Sequence, residues 1–244
     1  LFWPLSLAAQ AITDFESFSN GAQVMFRQPS FSGTTSGKLD PAPNFSYVTN
    51  SFPAGNPNSG GNVYMTDFSF LASNPTPLWV RLTTSGTANL PNTIVSITDT
   101  LEFDIYSSRP IYVALGIRET DPSGPVGGNG GTSGTIEWVG GTTDNTQSPP
   151  LGRSVSPNTW TTLHFDIPTE PVRSFTGDGV LTSTTGKDVL EHLALVANDG
   201  TGEYQIFLDN FRVVAVPEPA TVSVSLLTVL GLLLRRVVLR HRAR

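Results

Sequence analysis

The sequence predicts an all-β fold, a jelly-roll-like β-sandwich domain followed by a single C-terminal transmembrane helix, and three observations carry that prediction. Charged residues make up 14% of the chain while Gly and Pro number 23 and 19, the profile of short strands joined by many turns. Several segments alternate apolar and polar residues with a period of two, as a strand does when one of its faces lies on a core. Residues 220–234 (ATVSVSLLTVLGLLL) are uncharged and largely apolar, and Arg235 and Arg236 follow directly.

Taken in order, residues 12–18 (ITDFESF) alternate and stop at Asn20-Gly21, which predicts a first strand and a turn. Residues 24–26 form a short second strand. From 29 to 62 the chain is mostly Ser, Gly, Pro and Asn with one apolar interruption at 45–48, a loop-rich excursion of a length uncommon in a compact domain unless it has a job. Strands follow over 63–71, 78–82 and 93–97. Residues 100–106 (TLEFDIY) send Leu101, Phe103 and Ile105 to the core and Glu102, Asp104 and Tyr106 away from it. A strand over 111–119 precedes a loop with six glycines in the fourteen residues 121–134. Residues 135–139 form a strand that carries Trp138, and a second polar loop runs to 150. Residues 160–167 (WTTLHFDI) place Leu163, Phe165 and Ile167 inward and His164 outward. The nearly all-apolar 189–197 reads as a central strand, and Asn198-Asp199-Gly200 turns it into the last one, 204–216. No helix is predicted before the apolar end, and no repeat of fixed period indicates a solenoid or propeller.

The domain boundaries follow from these patterns. Residues 1–11 close on Ala9-Gln10-Ala11, the small-x-small site of a secretory signal peptide of which they are the remnant. The sandwich occupies 12–214, a Pro-Glu-Pro linker 215–219, the transmembrane helix 220–234 and a basic cytoplasmic tail 235–244. Fifteen residues rise about 22 Å, short of the roughly 30 Å hydrocarbon core, so Arg235 and Arg236 must snorkel or the helix must run on to Leu239. Arginines on that flank place it in the cytoplasm and the body across the membrane. Pro217 and Pro219 remove two backbone donors and disfavour helix before them, which presents Glu218 on an extended stalk.

Val216, Pro217, Glu218, Pro219 and Ala220, then the apolar span, then Arg235 and Arg236 resemble the PEP-CTERM sorting signal of Gram-negative bacteria, also known as an ice-binding-protein C-terminal motif. The resemblance covers about the last thirty residues. It implies processing near the Pro-Glu-Pro by an exosortase, a membrane-embedded protease and transpeptidase. It further implies an inner-membrane anchor with the body on the periplasmic side, then delivery to the cell surface or exopolysaccharide matrix. Ice binding is not carried over, because no regular Thr-x-Thr array is present.

Composition narrows what the body does. Residues 12–216 hold nine basic and nineteen acidic side chains, 9 − 19 = −10, which repels nucleic-acid phosphates. Cysteine is absent, which excludes disulfides, thiolate metal sites and a cysteine nucleophile. Asp14-Phe15-Glu16, the 101–105 strand and Phe207-Leu208-Asp209-Asn210-Phe211-Arg212-Val213 resemble jelly-roll carbohydrate-binding and concanavalin-like modules. In such a fold the first and last strands lie close, so Asp14, Glu16 and Asp209 are candidate ligands of a structural Ca²⁺, which takes six to eight oxygens. The candidate sugar platforms are Trp138, Tyr106, Trp160 and Trp79, since a pyranose packs its apolar face on an aromatic ring and a few polar groups orient it.

Catalytic motifs are incomplete. Laminarinase-like sandwich hydrolases carry Glu-x-Asp-x-x-Glu, whereas Glu102-Phe103-Asp104-Ile105-Tyr106 is followed by Ser107. His164 beside Asp166 and His192 beside Glu191 lie on different strands, and neither a nucleophile elbow nor a phosphate-binding loop is present. The expectation is therefore a non-catalytic surface or matrix protein, polysaccharide among its expected partners, with a secreted polysaccharide hydrolase or lyase as the alternative. Two close carboxylates of unequal environment in a pocket would favour the alternative.

Overall fold

The period-two segments pair into two antiparallel sheets. The structure is a computed structural model that describes residues 9–32, 38–58, 60–72, 78–84, 90, 93–119, 135–142 and 151–215. Its strands are β1 Gln10–Thr13, β2 Leu39–Thr49, β3 Val63–Phe70, β4 Trp79–Thr83, β5 Thr93–Ser96, β6 Thr100–Ser107, β7 Ile111–Arg118, β8 Ile136–Val139, β9 Arg153–Val155, β10 Thr161–Asp166, β11 Val172–Ser174, β12 Lys187–Ala197 and β13 Gly202–Val214. Sheet A runs β10-β6-β13-β3-β2 with β1 beside β13; sheet B runs β11-β8-β7-β12-β4 with β5 on β12 and β9 on β7. The consecutive strands β3/β4, β6/β7, β9/β10 and β12/β13 each cross from one sheet to the other, the jelly-roll connectivity. All described residues from 9 to 215 fall in one compact unit, Ala8–Ala215.

Alternation decides what lies between the sheets. Leu101, Phe103 and Ile105 of β6 and Leu163 and Phe165 of β10 meet Val113, Leu115 and Ile117 of β7 and Leu193 and Leu195 of β12 in one core. An aromatic column runs through sheet A's side: Phe165, Phe103, Phe211, Phe15 and Tyr64, with successive ring centroids 6.0, 4.6, 6.2 and 5.5 Å apart. The Tyr64 hydroxyl donates to the Phe26 carbonyl at 2.5 Å, and burial raises its pKa.

Three expectations are corrected. The first strand ends at Thr13 because Phe15 adopts φ +61° and turns into the core, so 12–18 is a strand only at its start. Residues 24–26 are buried core without being a strand, since Met25 has φ +60°. The loop-rich reading of 29–62 misses β2, whose eleven residues form the outer edge of sheet A. Pro41 and Pro43 are tolerated at that edge, inside the register shift between Leu39 and Asn44. β9 and β11 are three residues each, too short to show a period. Short 3₁₀ turns at Pro29–Phe31 and Ile167–Thr169 interrupt the β-structure. No described helix is long and apolar enough to cross a membrane; the expected span 220–234, the sorting motif, the basic tail and most of the signal-peptide remnant lie outside the described residues.

Candidate functional site

The outward-pointing side chains make two different surfaces. On sheet A, pairing sets Tyr106 of β6 opposite Phe207 of β13, Phe207 opposite Met65 of β3, and Met65 opposite Tyr47 of β2. Trp160, one residue before β10, extends this row, its ring 5.8 Å from Tyr106, which lies 5.9 Å from Phe207. Phe45 stacks on Tyr47 at 5.2 Å, and Phe52 meets Trp160 edge-on at 6.3 Å. From β2 to the β10 edge the row spans about 19 Å, four strand spacings. Phe207 and Met65 are buried, while Tyr47, Tyr106 and Trp160 are half-buried.

Residues 51–58 and 60–62 lie along one side of this row. Trp160 Nε1–H donates to the Pro53 carbonyl at 3.0 Å, Asn56 Nδ2 donates to Asp209 Oδ2 at 2.7 Å, and the Asn62 backbone N–H donates to Glu16 Oε1 at 3.0 Å. Gly60 passes so close that a Cβ there would sit 1.9 Å from Glu16 Oε1. Asp14, Glu16 and Asp209, the expected calcium ligands, take the following partners. Asp14 accepts the Glu16 backbone N–H at 3.2 Å, Glu16 and Asp209 grip the loop, and no group of three acidic or histidine side chains that could hold a metal forms among the described residues.

Beside the aromatic row, Asp104 and Asp209 face each other across β6 and β13, 1% and 0% exposed. Asp104 accepts from Thr162 Oγ1 at 2.6 Å and Asn210 Nδ2 at 3.2 Å; Asp209 accepts from Asn56 and from the Asn210 N–H at 2.7 Å. Burial pushes Asp209 up to about 6, Asn56 and Asn210 pull it down, and Asp104 and Glu16 add repulsion. Asn210 holds the bulge of β13 at φ +53°, which turns Phe211 inward and leaves Arg212 to pair with Glu102 at 2.8 Å. Glu102 also bonds His164 Nδ1 at 2.7 Å. Ser107, where a second catalytic Glu would stand, points into the sandwich, fully buried.

On sheet B the other two predicted tryptophans meet. Trp79 of β4 and Trp138 of β8 pack edge to face at 6.0 Å, 4% and 1% exposed, with Ala114, Ala194 and Val196 beneath them. Phe175 packs 4.7 Å from Trp138, and His192 lies 6.2 Å from it across Gly116. A Cβ on Gly116 would come within 2.7 Å of His192 and 2.9 Å of Trp138, so only glycine lets the two approach. Arg118 pairs with Glu191 through two hydrogen bonds, one of them 2.9 Å long. Arg81 stacks over Phe175 at 5.0 Å and donates to Ser32 Oγ at 2.8 Å. Burial holds His192 neutral, well below the ordinary histidine value, and Arg81 and Arg118 push the same way.

The sandwich is similar in architecture to solved carbohydrate-binding modules. The family 11 module of the cellulosomal cellulase Lic26A-Cel5E of Clostridium thermocellum is 13% identical, covers 86% of this chain and 96% of its own, and superposes with a TM-score of 0.43. The Clostridium thermocellum family 11 module in complex with a β-1,3-1,4-mixed-linked tetrasaccharide gives 14%, 85%, 96% and 0.44. The family 30 module of the Clostridium thermocellum cellulosomal cellulase Cel9D-Cel44B gives 12%, 85%, 98% and 0.39. No family model and no curated protein matches the chain.

The four aromatic candidates therefore divide into two pairs on opposite faces. Tyr106 and Trp160 belong to the half-open row, and Trp79 and Trp138 to the closed cluster. Tyr47, Phe45 and Phe52 of that row were missed because they sit in the segment read as loop. Arg118 and Glu191 were missed because a buried ion pair between β7 and β12 leaves no mark on either strand alone.

Proposed function

We propose that this is an exported, non-catalytic, polysaccharide-binding protein of the cell surface or extracellular matrix, with the glycan lying across the outer face of sheet A. One observation carries the binding: Trp160, Tyr106 and Tyr47 are partly exposed aromatic side chains in a row that crosses the sheet. Sugar rings present apolar faces that pack on aromatic rings, and a linear row suits a linear polymer. Asp67, Gln205 and Asn158 border the row with polar groups; Asn158 accepts from the Tyr106 hydroxyl at 3.1 Å.

The hydrolase alternative is favoured only by the Asp104–Asp209 pair, and all four of its carboxylate oxygens already accept hydrogen bonds, from Thr162, Asn56 and Asn210. Affinity electrophoresis of the full chain in gels containing neutral and acidic polysaccharides tests the proposal. Retention is expected, with a loss of about tenfold in affinity for Tyr106→Ala and Trp160→Ala, about 1.4 kcal/mol each. No retention on any glycan, or release of reducing ends, overturns it.

Delivery is proposed to follow the Val216–Ala220 motif, with an exosortase as the processing partner and the membrane as a temporary anchor. Val216, Pro217, Glu218, Pro219 and Ala220, followed by an apolar run and Arg235 and Arg236, support this. In a host with an exosortase, Glu218→Ala is expected to keep the protein in the membrane fraction; processing that continues unchanged overturns it.

A further inference from the structure

A carboxylate next to the aromatic row lacks half of its partners. Asp67 stands on β3 between Gln205 of β13 and Phe45 of β2, and it is 4% exposed. Its Oδ2 accepts from Gln205 Nε2 at 3.0 Å, while its Oδ1 is buried with no hydrogen-bond partner. An ionised carboxylate only accepts, so this oxygen calls for a donor. Asp67 points to the outer face, two residues along β3 from Met65, which sets it about 7 Å from the row of rings. Gln205 is fixed in turn, since its backbone N–H donates to Ser108 Oγ at 3.0 Å and its amide also reaches Glu203 at 3.3 Å. Loss of water pushes the Asp67 carboxyl up to about 6, with Gln205 opposing and Glu203 adding to the rise.

We propose that Asp67, positioned by Gln205, accepts a hydrogen bond from a sugar hydroxyl beside the aromatic row and makes the site select neutral polysaccharides over uronate-bearing or sulfated ones. This rests on the sheet A site proposed above. A sugar hydroxyl supplies the donor that Oδ1 lacks once the side chains that close over this oxygen shift on binding. A charged polymer instead meets Asp67 and Glu203, within a region of net charge −10. The arginine of this face, Arg212, is already held by Glu102.

Affinity electrophoresis of the full chain at pH 7.5 decides it, with mixed-linkage β-glucan and galactan as neutral probes and polygalacturonate and alginate as acidic ones. The wild type is expected to be retained on a neutral polymer and to pass through both acidic ones. Asp67→Asn should weaken neutral binding about tenfold, the loss of a charge-assisted hydrogen bond, and narrow the neutral-to-acidic ratio. Gln205→Ala, which frees Asp67 without removing it, should weaken neutral binding about threefold. If Asp67→Asn unfolds, Gln205→Ala decides alone. Should Tyr106→Ala abolish retention while Asp67→Asn and Gln205→Ala leave affinity and ratio unchanged, the selectivity claim fails and the aromatic site stands. Retention on acidic polymers equal to that on neutral ones also overturns it, and retention on none overturns both.

Discussion

The two outer faces of this sandwich are made from the same ingredients and end in opposite states. Each carries two of the chain's candidate aromatics, at least one buried carboxylate and an arginine. On sheet A, Tyr106 and Trp160 are half-buried, and Arg212 keeps 21% of its side chain exposed. On sheet B, Trp79 and Trp138 are closed in, and the Arg118–Glu191 pair keeps only 11% and 5%. The difference teaches that an outward side chain on a jelly-roll strand is not thereby a surface side chain. Whether it can meet a ligand depends on what packs over the sheet, as Phe175 packs over Trp138 and Lys38 lies over Trp79 at 5.8 Å.

The largest effect that would break this comparison is on stability. Trp138→Ala is expected to cost about 3–5 kcal/mol, as for a fully buried tryptophan, and Trp160→Ala clearly less. Chemical denaturation of both measures it, and equal losses would erase the distinction between a closed and an open face. Next comes the ion pair. Arg118→Ala should cost about 3–5 kcal/mol by leaving Glu191 buried and uncompensated, while the double replacement Arg118→Met with Glu191→Leu should restore most of that. Arg212→Ala on the open face should cost less than Arg118→Ala, because the Arg212–Glu102 pair keeps more of its surface in water. A smaller effect grades the row itself. Tyr47→Ala, at the β2 end, should reduce polysaccharide retention less than Tyr106→Ala, which has ring neighbours on both sides.

The smallest effect is one of slope, and its sign differs between the faces. Asp67 and Asp209 titrate near 6 when folded and near 3.8 when unfolded, so the folded chain holds more protons between those values. Their contribution is fully present below about 3.8 and is lost as pH rises through about 6. His192 is depressed below 6.5, so its contribution runs the other way and falls as pH drops below 6.5. Glu203 and Gln205 face Asp67; Asn56, Asn210, Asp104 and Glu16 face Asp209; Arg81, Arg118 and Glu191 face His192. Against wild type, Asp67→Asn should flatten the gain on acidification from pH 7 to 4, and His192→Gln should steepen it. Denaturation midpoints across that range show whether the two slopes separate.

Where the sequence had a clean period, its reading held. Leu101, Phe103, Ile105, Leu163, Phe165 and Ile167 are core residues, and Glu102, Tyr106 and His164 point outward. β12 is central, as its run of apolar residues requires. The edge strand β2 was lost because its prolines mimic a loop, and an edge tolerates them. Phe15 and Met25 broke the expected strands through left-handed backbone that no hydrophobic pattern records.

By itself the sequence determined an all-β body, the side of each well-patterned strand that faces the core, and the absence of cysteine chemistry, because these follow from composition and from a two-residue period. Only the tertiary structure decided that Trp79 joins Trp138 while Tyr106 joins Trp160, and that Asp104 lies opposite Asp209. Those pairings join residues 54 to 105 positions apart, by hydrogen-bonded register between strands that local pattern does not rank. Period two says which side of its strand a residue takes, and it is silent on what comes to cover that side.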